Sequence, residues 1–342
     1  MQRDNAMPRG ALVISLDLEL HWGVRDLRPL DGAERRRLLA ARCVAVRIAK
    51  LFEEFDIHAT WATVGCLFAR SREELRHFAP KNRPAYKDRR LDPYLELLGE
   101  DEEDDPFHFA PDLIADIGRR EGQEIASHSF SHYYCGESGP QLLDFEEDLR
   151  CALSIGRTRG FKIQSYVFPR NQVNESCLPI LARYDVQSYR GTPTSAAHSA
   201  GSFAFQQAQH RRLLRLCDNY FNLYGPQTVS WPVDSHPHST HPRSIPASRY
   251  LRPWRPEMRC FEQLRYGRIV RAMGIAASNG ELFHLWWHPE DFALFPEKNL
   301  SFLRRILEAF EKYRRNEGMR SLSMAEVTNS VMMQRRSCPA HA

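Results

Sequence analysis

The chain has no uninterrupted apolar run of about 18 residues, the length that a membrane-crossing helix needs. Nor does it open like a secretory signal: residues 1–10 are polar, and the apolar stretch that follows is broken by Asp17 and Glu19. None of its 8 cysteines stands in a C-x-x-C pair. Without a signal, Cys43, Cys66, Cys135, Cys151, Cys177, Cys217, Cys260 and Cys338 read as reduced, mostly buried small residues. Strong charge is missing too. The 47 Lys and Arg against 43 Asp and Glu leave a formal charge of +4, with no long basic tract, so nucleic acid is not an expected partner. Arg35-Arg36-Arg37 reads as the solvated start of a helix. Internal repeats are absent. Together these absences place the expected compartment in the cytoplasm.

What is present is ordinary in bulk and informative in order. With 342 residues, 42% apolar and 26% charged, the chain can bury a sizeable core. Residues 11–16 form an apolar β-prone run ending in Asp17-Leu18-Glu19. Residues 33–54 carry helical spacing, and 57–64 form a second strand, so the chain opens β-α-β, a parallel pair with a right-handed crossover. Further helices are expected near 111–120, 145–156, 175–184, 259–277 and 299–314. Further strands are expected at 123–127, 164–168, 186–189, 281–287 and 321–324. The alternation predicts an α/β fold with a parallel sheet, most simply one barrel domain over 11–330. Residues 1–10 are expected to be flexible and 331–342 to be a disordered tail. Insertions are expected near 71–111 and 192–258. The acidic run from Glu100 to Asp105 reads as a solvated loop. His236, His238 and His241, set among Pro, Ser and Thr, read as an extended loop.

The segment His128-Ser129-Phe130-Ser131-His132 follows a strand directly. Two histidines bind one zinc only if they converge on bonds of about 2.0–2.1 Å, and four residues of extended strand span about 13 Å. A helical turn brings such a pair together, so the chain is expected to leave the strand into a helical loop. Polar chemistry falls at a strand's C-terminal end in four places: Asp17/Glu19, His128/His132, Arg170 and His288. In a closed barrel those ends share one mouth, where active sites sit.

These residues resemble the polysaccharide deacetylases, the NodB-homology or carbohydrate esterase family 4 type. The resemblance rests on Asp17-Leu18-Glu19, His128-Ser129-Phe130-Ser131-His132, Phe168-Pro169-Arg170-Asn171 and Leu285-Trp286-Trp287-His288, in that chain order, with His58 to Gly65 similar to the family's second strand. It implies a distorted (β/α)7 barrel of the glycoside hydrolase/deacetylase type, and a hydrolase of carbon–nitrogen bonds other than peptides. It further implies a divalent metal, zinc first and cobalt, nickel or iron after it, held by Glu19, His128 and His132. Asp17 would be the base, Arg170 would hold and orient it, and His288 would be the acid. The family usually has adjacent aspartates in its first motif. Here Leu18 intervenes and the second acid is a glutamate, but residues two apart on a strand share a face. The partner that tunes His288 is expected among Asp218, Asp234 and Asp291. Tyr133, Asn171 and Trp287 are the candidate substrate contacts.

The implied substrate is an acylated amino sugar, N-acetyl first among them, in a polysaccharide or surface-glycan precursor. Without a signal, nucleotide-linked, lipid-linked or oligosaccharide carriers are favoured. Two other readings stand beside it: a deformylase or other small-amide hydrolase using the same site, and a non-catalytic glycan-binding barrel. Asp17, Arg170 and His288 speak against the last, because a silent site would have lost some of them.

Overall fold

The computed structural model describes residues 9–192, 218, 220, 223–232 and 241–337. Strand β1 (Ala11–Leu18) is buried on both faces, as expected for a strand covered by helices on one side and enclosed on the other. Its even positions, Leu12, Ile14, Leu16 and Leu18, pack outward into a large core with Leu38, Ile48, Ile269, Leu303 and Ile306 of the surrounding helices. Its odd positions face inward. Ala11 and Val13 meet Val167, Ile245 and Leu282 at the barrel floor. Ser15 and Asp17 continue the same face upward and are polar.

Strands β2 (Ala59–Thr63), β3 (Gln123–Ser127), β4 (Ser165–Tyr166), β5 (Ser188–Gly191), β6 (Arg243–Pro246), β7 (Arg249–Tyr250), β8 (Leu282–Trp287) and β9 (Arg320–Leu322) complete the sheet. The order is β6-β5-β4-β3-β2-β1-β8-β7, with β9 added beside β1, and every pairing is parallel. The two ends of that order are successive pieces of one stretch. Between them the Ala247 N–H donates to the Gly191 carbonyl and the Ser248 N–H to the His284 carbonyl, so one bent strand spans from β5 to β8 and closes the ring. With β6 and β7 taken as one, and β9 set aside, the ring has the seven positions of a distorted (β/α)7 barrel.

The helix Gly32–Glu54 starts where Asp31 accepts from the Ala33 and Glu34 N–H groups, both at 2.9 Å. The other long helices are Leu142–Thr158, Glu262–Asn279 and Pro296–Glu317. Three expectations need correction. The segment taken as an insertion to 258 contains the closing strand, hidden by its Pro and Ser content. The expected tail begins as the helix Met324–Ser337, anchored where Val327 and Val331 meet the barrel floor. Of the cysteines, Cys66, Cys151 and Cys177 are buried, but Cys43 and Cys260 are exposed. Cys217, Cys338, Asp234, His236 and His238 lie outside the described residues. His241 is exposed. Among the described residues no helix is long and apolar enough to cross a membrane.

His58 ties β2 to the C-terminal helix through Nδ1 and Glu326 at 2.7 Å. Hydrogen bonding to Glu326 raises the imidazole pKa, against burial. Stability from this pair is therefore full below the unfolded histidine value of about 6.5 and is lost as pH rises through the raised folded value. Both partners are part-exposed, so the pair is worth about 0.5–1 kcal/mol. His58→Ala should cost that much more at pH 6 than at pH 9 in urea unfolding; a pH-independent cost would show the pair contributes nothing.

Candidate metal centre

Glu19, the two histidines and His288 converge at the mouth. Glu19 Oε2 lies 3.0 Å from His132 Nε2 and 3.4 Å from His128 Nε2. Two bonds of about 2.05 Å at a tetrahedral angle place ligand atoms about 3.3 Å apart, so these separations suit one small cation. The histidine Nδ1 atoms are not equivalent. His128 Nδ1 lies 2.9 Å from the Val167 carbonyl, which can only accept, so Nδ1 carries the proton and Nε2 presents a lone pair. That Nε2 is buried without a hydrogen-bond partner, the condition of an atom built to ligate. Burial holds His132 down to about 4, in the neutral form a metal needs. The donor set thus fits a divalent ion.

The loop that converges the histidines is not helical. Ser129 and His132 sit in the left-handed region, at φ 64° and 57°. Asp148 of the helix Leu142–Thr158 holds the turn: its carboxylate accepts from the Phe130 N–H at 2.7 Å, the Ser131 N–H at 3.0 Å and the Ser131 hydroxyl at 2.5 Å. Burial pushes this carboxyl up to about 6, against those hydrogen bonds. Gly65 permits the close approach, because a Cβ there would meet Phe130 Cα at 2.8 Å. Asp148→Ala should leave two buried N–H groups unpaired, costing about 2–4 kcal/mol, and weaken zinc binding about tenfold or more. Denaturation and zinc titration check both; unchanged affinity would show that the turn keeps its shape alone.

Glu19 reaches the histidines by a backbone device. Leu20 follows at φ 46°, its N–H donating to Glu290 Oε1 at 2.7 Å, and a short turn, Leu20–Gly23, folds back. A Cβ on Gly23 would stand 2.0 Å from the Glu19 carboxylate, so glycine makes room for the longer acid.

Asp17 is gripped by Arg190, not Arg170. Arg190 Nη1 and Nη2 donate to the two Asp17 oxygens at 2.6 and 2.7 Å. Arg190 projects from β5 on the inner face, and its guanidinium lies 4.3 Å over the Trp286 ring. Ser15 Oγ accepts from Arg190 Nη1 at 3.1 Å and lies 2.9 Å from His284 Nε2. Burial pushes the Asp17 carboxyl up, but Arg190, helped by His128 and His288, brings it below its ordinary value. Arg170, at φ 54°, instead pairs with Asp26 and stacks 4.1 Å over Tyr134, whose ring lies 5.1 Å from His132.

His288 Nε2 stands 3.7 Å from both Asp17 Oδ2 and Glu19 Oε1. Its Nδ1 lies 2.9 Å from Asp291 Oδ2, which also accepts from the Tyr250 hydroxyl at 2.6 Å. Asp291 is therefore the tuning residue, while Asp218 pairs with Arg268 and Arg249. Burial lowers the His288 pKa, yet Glu19, Asp291 and Asp17 carry it well above the ordinary value.

The substrate-contact expectations fare unevenly. Asn171 accepts from Arg190 at 3.0 Å and so positions it. Tyr133 turns away, its hydroxyl donating to the Gln141 carbonyl and its ring packing on Phe145. Trp287 is fully buried on the outer face against Phe292 and Phe52. Trp286, part-exposed on the inner face, flanks His288 instead, its ring centroid 5.7 Å away. The sequence reading missed Arg190, Asp148 and Gly23. Arg190 had a usable signal, being another polar residue at a strand's C-terminal end.

No family model matches the chain, and no curated protein matches it by sequence. Solved structures do match it in fold. A protein of Mycobacterium smegmatis assigned as a polysaccharide deacetylase superposes with a TM-score of 0.57 at 12% identity, over 98% of this chain and 93% of that one. Puue allantoinase does so with a TM-score of 0.58 at 12% identity, over 99% and 94%. A Pseudomonas aeruginosa protein assigned to the polysaccharide deacetylases gives 0.56 at 10% identity, over 97% and 92%. The chain has the fold of the polysaccharide deacetylases, a barrel that an allantoinase shares.

Proposed function

We propose that this protein is a metal-dependent hydrolase that removes an N-acyl group, N-acetyl first among candidates, from an amino sugar of a polysaccharide or a surface-glycan precursor. One observation carries the reading: an arginine-clamped Asp17 and an aspartate-held His288 stand on the rim of the Glu19, His128 and His132 group. A divalent ion held by those three would supply an acidified water and a polarised acyl carbonyl. Asp17, kept ionised by Arg190, takes the proton of the attacking water. His288 gives a proton from Nε2 to the departing amine, since Asp291 fixes Nδ1; an amine leaves poorly without one. A cation on Glu19 would cancel part of the pull that raises His288, moving it toward neutrality. Trp286 and Tyr250 flank His288 with apolar surface suited to a sugar ring.

The likeness to an allantoinase keeps a small-amide hydrolase as the second reading. Zinc-loaded protein should release acetate from at least one of a panel of N-acetylated amino sugars, free, nucleotide-linked and oligomeric. Release only from formyl or cyclic amides would move the assignment to the second reading. Release from none of them would sink the hydrolase reading and leave the glycan-binding barrel.

A further inference from the structure

A second group of ligand atoms lies beyond the mouth. Glu96 Oε2 stands 4.0 Å from His21 Nε2 and 3.9 Å from His108 Nε2. The two rings meet edge to face with centroids 5.1 Å apart. Both histidines are about 98% buried or more. His108 Nδ1 is taken by Asp105, at 2.8 and 3.0 Å from its two oxygens. That leaves His108 Nε2 facing Glu96, buried and without a hydrogen-bond partner. Nothing in the proposed hydrolysis uses any of these four residues.

We propose that His21, Glu96 and His108 form a second divalent-metal site, zinc by donor type, with Asp105 orienting His108. A carboxylate on the far nitrogen of a ligating imidazole is the usual support of such a ligand. Tetrahedral bonds of about 2.1 Å set ligand atoms about 3.4 Å apart, so each separation closes by about half an ångström when an ion is held. Glu96, the part-exposed member, is the one free to close in. The site joins two segments. His21 lies on the turn that follows the ligand Glu19, and its N–H donates to the Phe107 carbonyl. Trp22 beside it donates from Nε1 to the His108 carbonyl at 3.0 Å. Glu96 and His108 belong to the excursion near 71–111 expected as an insertion. An ion there would clip that excursion to the turn that aims Glu19, so its role is positioning rather than catalysis.

The experiment counts zinc on the full chain, stripped with chelator, reloaded with zinc alone and desalted. The wild type should hold about two equivalents, His108→Ala and Glu96→Gln about one each, and His128→Ala about one. A His108→Ala protein that keeps the wild-type count overturns the proposal. So does a wild type with a single zinc that only His128→Ala removes, a result that leaves the hydrolytic site intact. A single zinc removed by His108→Ala alone supports this site and instead fails the hydrolytic one. If His108→Ala does not fold, as judged by circular dichroism, Glu96→Gln decides, and its wild-type count would overturn the proposal.

Discussion

Asp17→Asn should lower acyl-amide hydrolysis by about 10²–10⁴-fold while the zinc-loaded protein keeps its zinc content, as the proposed Glu19, His128 and His132 ligand set requires. The substitution is nearly isosteric; it removes the capacity to take a proton together with the charge that pairs with Arg190. The three ligand atoms belong to other side chains, and the His128 tautomer is set by the Val167 carbonyl, which the variant does not touch. An amide at position 17 still accepts from one Arg190 nitrogen, and Ser15 Oγ, Asn171 Oδ1 and the Trp286 face continue to hold the guanidinium. Rate and zinc content, measured on the same sample, separate loss of the base from loss of the metal. Retained activity would remove Asp17 from its role. Loss of zinc would show that Asp17 also ligates, making the D-x-E motif a two-carboxylate site.

How much of this was legible depended on whether a residue's role was local. The inner face of β1 could be read from period two: Asp17 and Glu19 share a face with Ser15, and the structure keeps that face pointed into the mouth. The same rule, applied strictly to β8, selects Trp286 rather than Trp287. His284, Trp286 and His288 share parity and line the interior, while Phe283, Leu285 and Trp287 pack into the outer core. Convergence of His128 and His132 was legible from spacing, but its means was not. A turn with two left-handed residues is held by Asp148, and a carboxylate on a helix 16 residues past His132 leaves no mark in the motif. The closing strand was illegible because it is split into short pieces by Ala247 and Ser248 and lies among prolines.

The arginine is the sharpest divergence, and it yields the other large expected effect. Arg190→Met should destabilise the fold by about 3–5 kcal/mol, because Asp17 would remain as an uncompensated buried charge. With the guanidinium gone, burial would be opposed only by His128 and His288, and the carboxyl pKa would rise. The acid limb of the pH–rate profile should therefore move to higher pH. Arg190→Lys should recover part of the stability and less of the rate, since an ammonium cannot grip both oxygens as the fork does. Arg170→Met makes the control. It breaks the pair with Asp26 and the stack on Tyr134, so any loss should appear in zinc affinity through His132, with the acid limb unmoved. Urea unfolding and pH–rate profiles of the three variants decide the matter. If Arg170→Met moves the acid limb and Arg190→Met does not, the arginine first expected from the motif is the one that governs Asp17, and the pair seen at β5 is structural.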